Sequence, residues 1–351
     1  MYRHLLRPLL FLFSPEGVHN FAMRLLGAVG ANRAGRWFLS RFFSLRDPRL
    51  ETEVFGIRFP NPVGVAAGYD KNARLYEPLS SMGFGFVETG TVTPRPQQGN
   101  LKPRMFRLPA DRALVNRMGF NNGGMETALR NLRRRGRPHR VIVGANIAKN
   151  SLTSPENAAA DYLKLFRNLY QYVDYFTVNI RCPMSTGFSG LHNRETISAI
   201  LAGLFEFRRG QNQYRPVLVK VPPDLSWEEV DRIVDILLET PLDGLVVGGT
   251  TTSRTGLKTP EKTLEQIGTG GLSGAPLTGL TLGMVRYINT RTEGRYPLIA
   301  VGGIMSPSDA AALLDAGASL VQVYTGMVYN GPSFARRICR ELLEREERTE
   351  K

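Results

Sequence analysis

Eight short apolar runs punctuate this chain, at 62–67, 86–90, 141–146, 175–180, 217–221, 244–247, 298–301 and 320–324. Each stops abruptly at glycine or a polar residue, and the gap to the next is usually long enough to hold a helix. That alternation predicts an α/β protein, a (β/α)8 TIM barrel, whose chemistry sits at the C-terminal ends of its strands. The residues just beyond each run are therefore candidates for the site: Gly68-Tyr69-Asp70-Lys71, Thr91-Val92-Thr93-Pro94, Ile147-Ala148-Lys149, Arg181-Cys182-Pro183, Pro222-Pro223-Asp224, Gly248-Gly249-Thr250, Gly302-Gly303-Ile304 and Thr325-Gly326-Met327. Glycine, amide, hydroxyl, lysine and one thiol converge on a single rim.

A barrel takes roughly 250 residues. The 351 residues are thus expected to divide into an N-terminal appendage, residues 1–46, and one barrel, residues 47–351. The net charge of +14 invites a nucleic-acid reading, but the excess is dispersed. Residues 1–49 hold eight arginines against Glu16 and Asp47, and a second cluster comprises Arg130, Arg133, Arg134, Arg135, Arg137 and Arg140. No aromatic residues interleave the second cluster for base stacking, so it reads as a solvated helix end and no nucleic-acid partner is expected. Cys182 and Cys339 are the only cysteines, which excludes a disulfide framework and points to a reducing, cytosolic setting. The four histidines lack metal-ligand spacing, so no metal site is expected.

The appendage carries helical signals. Ser14-Pro15-Glu16 is a helix start, with serine at the N-cap and proline at the first position, followed by an apolar stripe of Val18, Phe21, Ala22, Leu25, Leu26 and Val29. Leu5, Leu6, Leu9, Leu10 and Phe13 form an earlier stripe beside Arg3 and Arg7, and Trp37, Phe38, Phe42 and Phe43 a later bulky group. No stretch reaches the roughly 18 apolar residues of a membrane span. The segment reads either as a helical cap on the barrel or as basic amphipathic helices lying in a membrane interface, and the two are compatible.

The last two strand ends bear the clearest local chemistry. In barrels the loops after strands 7 and 8 cradle phosphate, and here they read Gly302-Gly303 and Tyr324-Thr325-Gly326, with a third glycine loop, Gly270-Gly271-Leu272-Ser273-Gly274, ahead of strand 7. Lys220 lies within a buried strand, where a charge is costly unless something anionic meets it. A reduced flavin or a structural ion pair would each serve. Cys182, just past strand 4, is a candidate base if neighbouring charge lowers its pKa.

Taken in order, these segments resemble the dihydroorotate dehydrogenase family, specifically its membrane-associated, quinone-using class. The resemblance runs along nearly the whole chain. It is carried by the appendage with Ser14-Pro15-Glu16 and His19, Asn61 to Lys71, Thr89 to Gln97, Asn116 to Asn122, Asn146-Ile147 with Lys149-Asn150, Gly270 to Gly274, Gly302 to Ile304 and Gly317 to Tyr324. It implies FMN held by Ala67, Gly68, Thr91, Asn146, Asn179, Lys220 and Gly248, with its phosphate at Gly274, Gly303, Tyr324 and Thr325. It implies a substrate pocket of Lys71, Asn116, Arg117, Met118, Gly119, Phe120, Asn179, Met184, Gly249 and Thr250. The implied reaction removes a proton from C5 of dihydroorotate through a base after strand 4, here Cys182 with Lys71 as the second catalytic residue, and a hydride from C6. Ubiquinone or menaquinone then takes the electrons between the N-terminal helices. The setting this implies is pyrimidine biosynthesis at the cytoplasmic side of the inner membrane, bound peripherally.

Three positions depart from the family pattern. Cys182 stands where the quinone class has serine, while Met184 and Gly249 replace two asparagines of the substrate ring. Loss of a hydrogen-bonding amide costs on the order of 1–3 kcal/mol per unpaired group. Two other readings therefore stay open, a paralogous flavin oxidoreductase acting on another cyclic amide or enone, and a catalytically silent flavin-binding protein at the membrane.

Overall fold

The computed structural model describes residues 2–134, 141–180 and 194–349. A π-helical turn at Tyr2–Leu6 runs into α1 (Arg7–Phe11), followed by α2 (Pro15–Val29), α3 (Arg33–Phe43) and a hairpin of β1 (Thr52–Val54) and β2 (Ile57–Phe59). Next come β3 (Val63–Val65), α4 (Tyr76–Ser81), β4 (Phe86–Val92), a second hairpin β5 (Met105–Leu108) and β6 (Ala113–Asn116), α5 (Gly124–Arg133), β7 (Ile142–Ile147), α6 (Ala158–Leu169) and β8 (Tyr175–Val178). The rest comprises α7 (Arg194–Arg209), β9 (Val217–Val221), α8 (Trp227–Glu239), β10 (Gly244–Gly248), α9 (Glu261–Ile267), β11 (Gly271–Gly274), α10 (Thr278–Arg291), β12 (Leu298–Val301), α11 (Pro307–Asp315), β13 (Leu320–Val323), α12 (Thr325–Asn330) and α13 (Phe334–Thr349).

Strands β3, β4, β7, β8, β9, β10, β12 and β13 pair side by side in parallel, and β13 closes on β3. Each lies on one of the eight apolar runs, and the result is the expected TIM barrel. Its strands are buried on both faces, which is why they read as unbroken apolar runs and not as alternation. Outward residues such as Val65, Val87 and Val143 pack under the helices. Inward, Phe59, Phe86, Tyr175, Leu218, Ile299 and Leu320 fill the barrel's N-terminal half. Glycine makes that filling possible: a Cβ on Gly64 would sit 2.3 Å from the Phe86 ring, and one on Gly144 would sit 2.2 Å from Tyr175.

Above this apolar plug lies a polar layer built around Glu88 of β4, which is fully buried. Its Oε1 accepts from Asn146 Nδ2 at 2.8 Å. Its Oε2 accepts from Thr177 Oγ1 at 3.0 Å, Tyr175 OH at 3.2 Å and Gln322 Nε2 at 2.7 Å. Four neutral donors on three other strands thus hold one carboxylate. Burial pushes the Tyr175 hydroxyl far above its ordinary pKa, and the facing Glu88 charge adds to the rise.

Two predicted features differ in detail. Gly270–Gly274 is not a loop: Gly271–Gly274 forms β11, paired antiparallel with β6, which in turn pairs with β5. A glycine-rich strand packed against its neighbour has neither alternation nor β-branched side chains to announce it. Ser14 does occupy the N-cap of α2 with Pro15 in the first turn, but its side chain makes no cap bond, and only its carbonyl accepts, from Val18 N at 3.0 Å. Full capping boxes start α8 at Ser226 with Glu229 and α11 at Ser306 with Asp309. Arg130, Arg133 and Arg134 are exposed at the end of α5, while Arg135, Arg137 and Arg140 lie outside the described residues.

Replacing Glu88 by Gln tests the polar layer. The new amide would aim two N–H donors at a site now supplied only with donors, and turning Asn146 to compensate would break its bonds to Thr91 and Asn179. Glu88→Gln should lose about 1–3 kcal/mol of unfolding free energy, seen as a lower denaturant midpoint at constant slope. An unchanged midpoint would show that the layer carries no net stability.

Candidate active site

The C-terminal ends of the barrel strands open into a cavity of about 220 Å³, roofed by the three-stranded sheet β11-β6-β5. The roof exists because β6 and β11 pair across more than 150 residues of chain, the Asn116 side chain bonding to Gly271 over a separation of 155. Leu108, Ala113, Val115, Ile267 and Leu272 bury its outer face. Met105, Leu114, Asn116, Gly271, Ser273 and Gly274 line the cavity from above.

The cavity gathers most of the residues singled out in the sequence. Ala67, Gly68, Lys71, Thr91, Asn179, Lys220, Gly248, Gly249 and Thr250 line it from the strand ends. Gly274, Gly303, Tyr324 and Thr325 line one end, and the segment Asn116, Arg117, Met118, Gly119 and Phe120 lines it as well. Asn146 does not reach the cavity. It lies one layer below, accepting from Thr91 Oγ1 at 2.7 Å and Asn179 Nδ2 at 3.2 Å, so it orients two lining side chains from beneath. Arg117 contributes differently from a ligand-binding cation: its guanidinium donates to the carbonyls of Ile267, Thr269 and Pro103 and lies over the Phe106 ring at 4.7 Å, clamping the roof. Cys182 and Met184, with Arg181, lie outside the described residues.

Two lysines set the charge of this space. The Lys71 Nζ donates to Gly68 O at 2.7 Å. Burial lowers its pKa to about 8, with Arg104 adding to the fall and Glu16 and Asp70 opposing it. Asp70 accepts from the backbone N–H groups of Arg74 and Leu75 at 2.8 and 2.7 Å, which fixes the turn that carries Lys71. Lys220 projects from β9 into the barrel, its pKa lowered by burial against the opposing pull of Glu88. Gly249 lies beside it in a left-handed backbone conformation, with φ of +135°, and a Cβ there would stand 3.4 Å from Lys220 Cε, in ordinary contact.

At the glycine end the backbone is exposed to the cavity. Gly274, Gly302 and Gly303 have φ of +109°, +108° and +77°. A Cβ on Gly303 would come within 2.5 Å of Thr278, so only glycine lets the chain pass there. Thr278 Oγ1 donates to Gly303 O at 2.7 Å, and Ser273 and Thr325 hydroxyls meet at 2.8 Å.

Helix α2 closes the rim beside Tyr324. His19 packs against Tyr69 at 5.4 Å and stacks with Tyr324 at 6.3 Å, while Tyr69 and Tyr324 meet edge to face at 5.2 Å. Burial and the nearby Lys71 charge drive the His19 pKa down to about 3, so its imidazole is neutral at ordinary pH. Glu16 forms an ion pair with Arg104 at 2.8 Å, and Arg104 also donates to the carbonyls of Gln98 and Asn100.

Sequence reasoning did not single out Glu88, Gln322, Glu16 or Arg104 as site residues, although Glu16 and Gln322 lie in segments it named. Glu88 had a usable signal, since a carboxylate inside the run Phe86-Val87-Glu88-Thr89 poses the same question as Lys220, and the two charges face one another in the barrel. Gln322 Oε1 is buried with no partner among the described residues, and Gln322 lines the cavity. Glu16 and Arg104 lie 88 residues apart and carry no local pattern.

The dihydroorotate dehydrogenase family model matches residues 49–345. A Christiangramia forsetii protein named dihydroorotate dehydrogenase (quinone) is 43% identical over 345 residues, covering 98% of this chain and 99% of that protein. A relative of the same name from a Synechococcus strain is 46% identical over 353 residues, covering 97% and 92%. The crystal structure of ligand-free DHODH from Eimeria tenella aligns with a TM-score of 0.86 at 36% identity, covering 95% of this chain and 96% of that one. A barrel with its reactive side chains gathered at the strand ends, matched along its whole length by such relatives, places this chain in the dihydroorotate dehydrogenase family.

Proposed function

We propose that this protein oxidises dihydroorotate to orotate on a bound FMN and passes the electrons to a quinone, a step of pyrimidine biosynthesis. The observation that carries the reading is the strand-end cavity. It has two lysines at its floor and rim, an unpartnered Gln322 Oε1 that suits a ring N–H, and at one end a glycine backbone that leaves space for phosphate oxygens. Those features fit a flavin mononucleotide, with Ala67, Gly68, Thr91, Asn179, Lys220 and Gly248 about the ring and Gly274, Gly303, Tyr324 and Thr325 about the phosphate. The chemistry FMN supplies when bound is acceptance of a hydride from the substrate and release of two electrons to the quinone. Relatives named for this quinone reaction match along the whole chain, which favours it over a paralogous or silent flavoprotein.

The protein's own groups do the rest. Lys71 places an ammonium where an anionic ring substrate enters. Asn116, the Met118–Gly119–Phe120 turn, Asn179, Gly249 and Thr250 surround that substrate, together with Met184 beyond the described residues. Cys182, four residues past the end of β8, takes the C5 proton as a hydride leaves C6. Residues 1–46 form the quinone entry and a peripheral contact with the cytoplasmic face of the inner membrane. Ten large apolar side chains between Leu5 and Phe42 stand exposed there, among them Trp37 at 67%. Among the described residues no helix is long and apolar enough to cross a membrane. Glu16, His19, Arg104 and Tyr324 meet where α2 packs on the barrel, and the neutral His19 adds no charge there.

Anaerobic addition of dihydroorotate should bleach the flavin band of the purified protein, and a band that persists would overturn the assignment. Positioned proton abstraction is worth about 10²–10⁴-fold, so Cys182→Ala should slow that bleaching by a similar factor with FMN still bound. Normal bleaching in this variant would move the base elsewhere.

Lys71 makes orotate binding depend on pH in a stated direction. Burial has lowered its pKa to about 8, so the ammonium is present below that pH and disappears as pH rises through it. Orotate affinity, titrated by flavin absorbance, should fall as pH is raised past about 8 and should become nearly flat in Lys71→Gln. A fall that survives in Lys71→Gln would assign the titration to another group.

A further inference from the structure

The first helical segment exposes its leucines to water while its arginines reach toward the barrel. Arg3, Arg7 and Phe11 succeed one another at four-residue spacing, which puts them on one helical face. That face is laid against the barrel: Arg3 donates to Asn330 Oδ1, Arg7 Nη1 to Tyr329 O at 3.2 Å, and Phe11 packs edge-on against Tyr329 at 5.4 Å. The apolar side chains take the opposite side, with Leu5, Leu9 and Leu12 exposed by 66, 55 and 80%.

Between this segment and the barrel lies a second cavity, about 530 Å³ in volume and open to the surface. Arg3, His4 and Arg7 line it from the helix, and Arg112 and Asn330 from the barrel. Arg107 lies over Phe11 at 4.5 Å and Arg337 donates to Asn330 O at 2.9 Å. Five guanidinium groups therefore cluster at one short helical segment, two of them its own, and among the described residues none pairs with a carboxylate. Their protein partners are the Asn330 amide oxygen and backbone carbonyls, including Met305 O for Arg112 at 3.1 Å. Each guanidinium carries five N–H donors, so these contacts engage a minority of them. Uncompensated like charges at this density call for an anion with several acceptor oxygens, which is what a phosphate offers in matched geometry.

We propose that the cavity between Arg3, Arg7 and Arg112 receives the phosphate of an anionic phospholipid whose acyl chains lie along Leu5, Leu9 and Leu12. This rests on the reading of residues 1–46 as a membrane contact, and it explains why the leucines are exposed while Arg7, half-buried, and Arg3, exposed, both reach across to barrel groups. Free inorganic phosphate is the other source of the same chemistry.

Vesicle flotation of the full-length, FMN-loaded protein separates the cases. Binding to phosphatidylglycerol-containing vesicles should exceed binding to pure phosphatidylcholine vesicles by tenfold or more, since each arginine near an anionic surface is worth about a factor of five. Arg3→Gln/Arg7→Gln/Arg112→Gln should lose that preference while still floating with neutral vesicles, and the outermost single variant Arg3→Gln should lose part of it. The charge-matched Arg209→Gln/Arg232→Gln/Arg286→Gln, on α7, α8 and α10, should keep it. A preference that survives in the triple variant, or is lost equally in the charge-matched one, overturns the site and leaves membrane contact standing. Millimolar inorganic phosphate that abolishes the preference overturns the lipid as the occupant. Wild-type protein that floats with neither vesicle overturns the membrane reading, and Leu9→Gln/Leu12→Gln that floats as well as wild type overturns the placement of the acyl chains. An unchanged flavin band in each variant shows that the barrel is intact.

Discussion

One buried carboxylate organises the middle of this barrel. Glu88 is held from β7, β8 and β13 by four neutral donors and faces Lys220 on β9, so a single anion spans five of the eight strands. A lone charge in such a place would be prohibitive, and charge-assisted hydrogen bonds are what make it tenable. The layer divides the barrel in two. Beneath it, aromatic and aliphatic side chains close the N-terminal half; above it, the same network fixes Asn146 and through it Thr91 and Asn179 at the floor of the cavity. The geometry of the floor is thus a consequence of how the core is held.

The rim depends on pieces from elsewhere in the chain. The β5–β6 hairpin and β11 build a roof whose inner face is cavity and whose outer face is its own small apolar cluster. Arg117 stitches that roof through three carbonyls, and Arg104 ties it to α2 through Glu16. The appendage is therefore wired to the strand-end rim electrostatically. Glu16 raises the Lys71 pKa while Arg104 lowers it, so a change in the seating of α2 would be felt at the lysine that lines the cavity. The large exposed apolar side chains of the same helices point away from this wiring, so one element presents an apolar face outward and a charged one to the cavity rim.

The sequence by itself determined the barrel. Strands buried on both faces demand unbroken apolar runs, and eight such runs with helical spacing leave few other architectures. It also determined where chemistry must lie, because strand ends are recognisable as the points where apolar runs give way to Gly, Thr, Asn and Lys. Gly68, Lys71, Thr91, Gly303 and Thr325 were legible for that reason, and Lys220 as a charge inside a buried run. The tertiary structure alone decided what those residues touch. That Asn146 works from beneath, that Arg117 clamps a roof, that Gly271–Gly274 is a strand and that Glu16, His19 and Arg104 share the rim all depend on contacts between segments tens to hundreds of residues apart. Such contacts leave no local period or spacing, since each partner is chosen by the closed fold and not by its neighbours in the chain.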